Sequence, residues 1–387
     1  MKKIIAFSLG LLIGLTAISG CSKKLSSTST DPNVSVTFPT GITEPIQVEE
    51  KEPETFEELY GNQLMNYINH QYVFDGEEIP LTESNFYVID AFVELSQYAL
   101  YGYYPATTLG YVDLAAECDD PEYKTYGDYL IDYAENSIHS TYILNKRAAA
   151  DDMTLSDDTK AEIDKIIEDI KNNEAAQANK SLDDYLSMYY GPGMNAEAFK
   201  AILEHYYISE AYTNDWYDNY SFDSKTGPNV KYALFYAPED DSQTNKDKAK
   251  SEAEAMKNAC KSVEAFEEYE ENVQTIYDHG TIVIAPGETV DMFNDWAFDE
   301  KRKEGDIDII YAPEYGYFVV GYVGQADLTE DSLKNIALDA LYTSVKEDIE
   351  SNKYGFGTSF AYTPAPAAPT PTPIPEKDLY SAYEDWT

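Results

Sequence analysis

The sequence predicts an α+β multidomain chain, in which an all-helical domain is followed by a smaller α+β domain and then by a return to helix. Three observations predict it. From about residue 55 to residue 222, apolar residues recur at helical spacing; at Val230 short β-branched and aromatic runs replace them; from Asp331 the helical period resumes. The length of 387 residues fits two or three units, and 43% apolar residues suffice for real cores.

Residues 1–20 read as a signal peptide. Lys2 and Lys3 form a basic start, Ile4 to Ala17 an apolar run too short to span a bilayer comfortably, and Ile18-Ser19-Gly20-Cys21 has the form of a bacterial lipobox. Lipid attachment is therefore expected at Cys21, anchoring the protein to the outer face of the cell membrane in an extracytoplasmic location. Residues 21–54 show no sustained period and read as a disordered tether. Later apolar runs are short and interrupted by charge. Cys118 and Cys260 lie in different expected domains and read as buried free thiols.

The helical domain is placed at 55–229. Helices are expected over Ser84 to Tyr101 and over Thr125 to Ala150, the latter with Leu130, Tyr133, Ala134, Ser137 and Ile138 on one stripe. Asp157 to Lys171 carries Ile163, Ile166, Ile167 and Ile170, with Ser156 or Thr154 available as N-cap. Ser181 and Asp184 have capping-box spacing, and Gly191-Pro192-Gly193 stops the helix they open. Another helix starts at Asn195 with Phe199, Ile202, Leu203 and Tyr206 on one face.

The α+β domain is placed at 230–324. Its expected order is strand (Lys231 to Tyr236), helix (Lys246 to Lys261), helix (Ala265 to Val273), strand (Thr281 to Ala285), helix (Val290 to Phe298), and strands at Asp306 to Tyr311 and Tyr317 to Val323. Pro313 and Gly316 give the last two strands a hairpin turn. Residues 325–352 form a C-terminal helix whose stripe, Leu333, Ile336, Ala337, Ala340 and Leu341, needs a partner face; packing on the helical domain is expected. Residues 353–387 form a Pro-rich tail, with "TPAPAAPTPTPIP" as extended polyproline-like spacer.

A formal charge of -44 repels phosphate along most of the surface and excludes nucleic-acid partners. It serves either as a solvated, aggregation-resistant surface or as an attraction for basic clients. His70, His139, His205 and His279 are scattered with no metal-ligand spacing, so neither metal nor cofactor is expected, and His279 alone merits a test. The run "PEDDSQTNKDK" lacks the glycine and closing glutamate of a calcium loop and reads as a solvated turn.

The lipobox, the run "LSDDTKAEIDKII…SLDDYLSMYYGPGMNAEAFKAILEHYY" and the stretch "GETVDMFNDWAFDEKRKEGDIDIIYAPEYGYFVVGYV" together resemble the PrsA/SurA-like extracytoplasmic foldase lipoproteins. The resemblance covers about residues 55 to 352. It implies a SurA N-terminal-like helical chaperone domain with an inserted parvulin-like (FKBP-like) peptidyl-prolyl isomerase domain. Gly287, Val290, Phe293 and Phe298 stand at the family's Gly, Val and two Phe positions, and Thr289 replaces its Met. By resemblance Phe293 and Phe298 are walls of a proline pocket; as plain residues they are core. The family's two histidines fall at Ala233 and Phe318, and its Asp-Leu-Gly segment has become Gly280-Thr281-Ile282.

Amide rotation needs no proton transfer, but it does need a pocket that favours the twisted amide over the planar one. Without the histidines a groove around Phe293, Phe298, Phe318 and Ile282 would bind peptide without accelerating rotation. The expected function is membrane-anchored holding of unfolded secreted proteins or peptides, without a confident catalytic residue. The alternatives are an active peptidyl-prolyl cis-trans isomerase and a structural or assembly protein of the cell envelope. The 35 tyrosines either form client-binding surface or reflect composition.

Overall fold

The computed structural model describes residues 53–358. The signal segment, Cys21, most of the tether and the Pro-rich run lie outside the described residues. Those described fall into two units: one holds the residues up to Tyr212 together with those from Val345, and the other spans Thr213–Ser344.

In chain order the elements are α1 (Phe56–Tyr60), β1 (Tyr72–Phe74), β2 (Glu77–Glu78), α2 (Leu81–Leu100), α3 (Tyr126–Ala150), α4 (Asp157–Asp169), α5 (Leu182–Tyr190) and α6 (Ala196–Asn219). There follow β3 (Thr226–Tyr236), α7 (Gln243–Ala259), α8 (Ala265–Asn272), β4 (Asp278–Val283), α9 (Asp291–Ala297), β5 (Ile307–Ala312), β6 (Gly316–Asp327), α10 (Glu330–Glu350) and β7 (Gly357–Thr358). The architecture is mixed helix and sheet, as the change of period predicts.

The helices of the first unit start where side chains can take up free amides. Thr125 and Asp128 make a full capping box at α3, and Ser156 and Ser181 accept from the third amide of α4 and α5. A π-helical turn, Ile170–Ala175, carries the α4 segment past its expected end. The core gathers Phe92 and Leu95 of α2, Leu130 and Ala134 of α3, Phe56 and Tyr60 of α1, and Val112 and Leu114 of the α2–α3 connection.

A polar knot ties α2, α3 and α6. Glu83, fully buried, accepts from Tyr142 Oη at 2.9 Å and pairs with His205 Nδ1 at 2.8 Å. Asn145 Nδ2 donates to the His205 carbonyl and to Ser209 Oγ, both at 2.9 Å. Burial alone would lower the His205 pKa, but its hydrogen bond to Glu83 and the carboxylate charge raise it above the usual value.

This unit is not all-helical, which corrects the sequence expectation. β1 pairs antiparallel with both β2 and β7, giving a three-stranded sheet of order β2-β1-β7. Residues 353–358 therefore belong to the fold, although the sequence assigned them to the tail. Phe356 stacks on His139 with ring centroids 4.4 Å apart and on Tyr72 at 5.6 Å. Burial pushes the His139 imidazole down to about 4, so it sits there as a neutral ring. Asp348 accepts from Arg147 at 2.7 Å and from Lys353 at 2.9 Å, securing the turn after α10. The β1–β2 hairpin turns at Asp75-Gly76, both at positive φ, a local turn signal that was not read from the sequence. The β1–β7 pairing spans nearly three hundred positions, and no local pattern announces it.

The second unit is a four-stranded antiparallel sheet of order β4-β3-β6-β5. Alternation along β3 sorts its side chains. Ala233, Phe235 and Ala237 pack with Val319 against Ala249, Ala253 and Met256 of α7 and Phe266 of α8. Val230 and Leu234 face the other way, toward Phe318 and Val320 of β6 and Phe293 and Trp296 of α9. The hairpin expected at "YAPEYG" is present, with Ala312 opposite Gly316.

Gly316 has φ of +117°, and a Cβ there would lie 2.5 Å from both the Ala237 amide nitrogen and the Phe235 carbonyl oxygen. Backbone on the neighbouring strand cannot yield as a side chain can. Gly316→Ala is expected to cost this unit at least about 2 kcal/mol, read as a lower urea midpoint with an unchanged slope.

Candidate functional site

The sheet face opposite α7 and α8 is where the sequence places a peptide groove. β6 presents Phe318 and β3 presents Tyr232 and Leu234, because alternate residues of paired strands share a face. α9 lays Phe293 across them: the Phe293 and Phe318 centroids are 5.5 Å apart, and Tyr232 lies 6.4 Å from Phe293 and 6.3 Å from Phe318. Tyr315 closes one side at 6.1 Å from Phe318. These are ordinary aromatic packing distances.

Ala233, where the resemblance places the first histidine, does not belong to this group. The pairing puts Leu234 across from Phe318 and Ala233 across from Val319, on the α7 face. A shift of one residue turns a side chain to the opposite side of the sheet, so the position facing Phe318 is Leu234. His279 pairs across from Ala233 and meets Glu270 of α8 at 3.2 Å, so it too belongs to the helix-covered side.

The face is filled rather than hollow. Phe293 is 4% exposed, Phe318 8% and Trp296 8%. Ile282, Val290, Tyr232 and Tyr315 are half-buried around them. Phe298 caps the end of α9 at 37% exposure, so of the expected wall residues Phe298 alone reaches solvent substantially. The guanidinium of Arg302 lies 4.1 Å from the Trp296 ring centroid and its Nε donates to the Trp296 carbonyl at 3.1 Å.

At the rim Tyr232 Oη donates to Asp278 Oδ2 at 3.1 Å. Burial, and then the neighbouring carboxylate, raise the Tyr232 pKa. Such a phenol is a hydrogen-bond group at neutral pH and not a base. Beyond the end of β3, Asp241, Asn245, Lys248 and Glu252 line a cavity of about 250 Å³ beside Tyr236. Both signs of charge are mixed there, and Tyr236 stacks on Tyr277 at 4.7 Å.

A second surface, in the first unit, was missed by sequence reasoning. The end of α2 and the loop after it, "YALYGYYPATTLGY", expose Tyr98 (42%), Leu100 (71%), Tyr101 (79%), Tyr103 (53%) and Leu109 (64%). The loop is held by its own backbone: Tyr103 N donates to Tyr98 O at 3.0 Å, Thr107 N to Tyr111 O at 2.7 Å and Asp113 N to Pro105 O at 2.9 Å. Ser96 Oγ fixes the far end by accepting from Val112 N at 3.1 Å. The Leu100 side chain lies against Gly110 and the Leu109 side chain against Gly61, and the exposed apolar groups make a patch along this one segment of chain.

The surroundings of the patch are acidic. Tyr98 packs on Tyr104 at 5.5 Å and Tyr104 on Tyr126 at 4.9 Å, and Tyr126 Oη donates to Asp119 at 3.1 Å. Asp113, Glu117, Asp120 and Glu122 follow in the same loop, and Lys124 is the one Lys or Arg between Lys51 and Lys146. The legible signal was the run itself: five large apolar side chains among glycine and proline, where turns ordinarily carry polar groups.

Solved structures that this chain matches include PrsA foldases and a SurA-like chaperone. The peptidylprolyl isomerase PrsA of Bacillus anthracis is 14% identical over 56% of this chain and 96% of that one, with a TM-score of 0.28. The foldase PrsA of Streptococcus pneumoniae is 14% identical over 58% and 84%, at 0.24. A SurA-like chaperone of Campylobacter jejuni, from the pair PEB4 and Cj1289, is 12% identical over 76% and 99%, at 0.19. No family model matches, and no curated protein matches. With TM-scores this low the superpositions carry no functional argument, which therefore rests on the residues themselves. Among the described residues no helix is long and apolar enough to cross a membrane, and no cluster of His, Cys, Asp and Glu could hold a metal ion.

Proposed function

We propose that this chain is an extracytoplasmic folding factor, lipid-anchored through Cys21, that holds unfolded secreted polypeptides on its helical unit. In this reading the sheet unit is a parvulin-like domain inserted between Tyr212 and Val345 and lacks isomerase activity. The observation that carries the proposal is the hydrogen-bonded segment that exposes Tyr98, Leu100, Tyr101, Tyr103 and Leu109 amid acidic residues. Tyrosine gives apolar area with a polar tip at low entropy cost, which suits reversible contact with exposed apolar segments. The negative field favours basic chains and keeps a loaded complex soluble.

The sheet unit supports the non-catalytic half of the reading. A catalyst of amide rotation must favour the twisted amide, and the face that would receive proline is occupied by Phe293 and Phe318 themselves. Two assays test the pair of claims. The mature chain at equimolar ratio is expected to suppress light scattering by reduced lysozyme, and Tyr101→Ser with Tyr103→Ser to lose most of that effect at unchanged melting temperature. In a chymotrypsin-coupled proline-peptide assay, the rate is expected to equal the uncatalysed one. Absence of suppression by the unaltered chain ends the holding claim; turnover that disappears in Phe293→Ala would make the protein an isomerase instead.

A further inference from the structure

We infer that the tyrosine patch is also the docking site of the chain's own Pro-rich segment, Thr363–Pro375, which competes there with other polypeptides. The inference deepens the holding function and rests on it only for the competition. Its first ground is chemical: the patch displays Tyr98, Tyr101 and Tyr103 on a fixed loop, and proline-rich segments in extended polyproline form dock on aromatic platforms with little ordering cost.

The second ground is charge. Residues 359–375 contain no Asp, Glu, Lys or Arg, whereas the chain carries -44 overall. This neutral stretch approaches the acidic surround of the patch without the repulsion that most of the chain meets. Charged groups return beyond it, with Glu376, Lys377 and Asp378. The neutral stretch includes six prolines, at 364, 366, 369, 371, 373 and 375.

The third ground is reach. The last described residue, Thr358, is held in the same unit as the patch, paired with Tyr72 of β1. Seventeen further residues reach Pro375, a span of about 50 Å at roughly 3.1 Å per residue. A compact unit of this size has a radius of gyration of about 16 Å. The segment can therefore reach most of the unit's surface, and tethering makes the encounter intramolecular.

The test places a benzoylphenylalanine photo-crosslinker at Ala367 of the full chain and maps the products by mass spectrometry, using a mixture of isotopically light and heavy protein. Links into residues 98–111 within one isotope are expected, and their loss in Tyr101→Ser with Tyr103→Ser at unchanged melting temperature. Links elsewhere, no links, or mixed-isotope links that indicate a second copy would overturn the inference. Replacing the six prolines by serine frees the patch, and apparent affinity for reduced lysozyme should then rise about 5–10-fold if the segment occupies the patch about 80–90% of the time. An unchanged affinity overturns the competition. Crosslinks without any lysozyme binding would leave the docking standing and remove the holding function.

Discussion

Phe318→Ala is expected to destabilise the sheet unit by roughly 3–5 kcal/mol, the range for truncating a buried phenylalanine. Phe318 is 8% exposed and packs on Phe293, Tyr232 and Tyr315, so its removal leaves a cavity bounded by three rings. That is a large share of the roughly 5–15 kcal/mol that holds a domain folded. Chemical denaturation followed by hydrogen exchange of β6 amides checks it. A loss below about 1 kcal/mol would mean that the face is open to solvent and that Phe318 lines a groove. Phe318→His, which restores the residue type of the resembled family, is expected to cost a comparable amount, because the imidazole would be buried without a designed partner.

Glu83→Ala is expected to cost the helical unit about 3 kcal/mol, since it strands Tyr142 Oη and His205 Nδ1 and empties a buried site joining three helices. The loss depends on pH. The folded His205 pKa is raised above its unfolded value of 6.5, so the folded chain holds this proton more tightly. The stabilisation is fully present below about pH 6.5 and is lost as pH rises through the folded pKa. Without Glu83, burial remains and lowers the imidazole pKa instead. The difference in melting temperature between the native chain and Glu83→Ala should therefore be larger at pH 6 than at pH 8. An equal difference at both values would show that the proton of His205 is not part of the knot. His139 titrates with the opposite sign: held down to about 4, it withdraws stability as pH falls below 6.5. The two variants share that term, so it cancels in the comparison.

The longer helices of both units and the strands of the four-stranded sheet were legible in the sequence because helical and strand periods are local properties. The stripe of Ile163, Ile166, Ile167 and Ile170 announces α4, and "VKYALFYAP" announces β3, although the strand begins four residues before Val230, at Thr226. Gly316 was legible as a turn residue, and its role against the backbone of the neighbouring strand was not. The site was legible only in part. Phe293 and Phe318 were named from the sequence and do meet, whereas Ala233, which the resemblance gives with Phe318 as a histidine position, lies on the other side of the sheet.

The sequence by itself determined the longer helices, the strands of the four-stranded sheet, where the pattern changes, and that the chain is strongly acidic, since each of these is a property of neighbouring residues or of their sum. Tertiary structure alone decided which face of β3 meets α9, that residues 357–358 join β1, and that the tyrosines of the α2–α3 loop stand in solvent while Phe293 and Phe318 fill the sheet face. Register and burial depend on partners far along the chain. A one-residue shift in pairing reverses every side chain while leaving the local period unchanged.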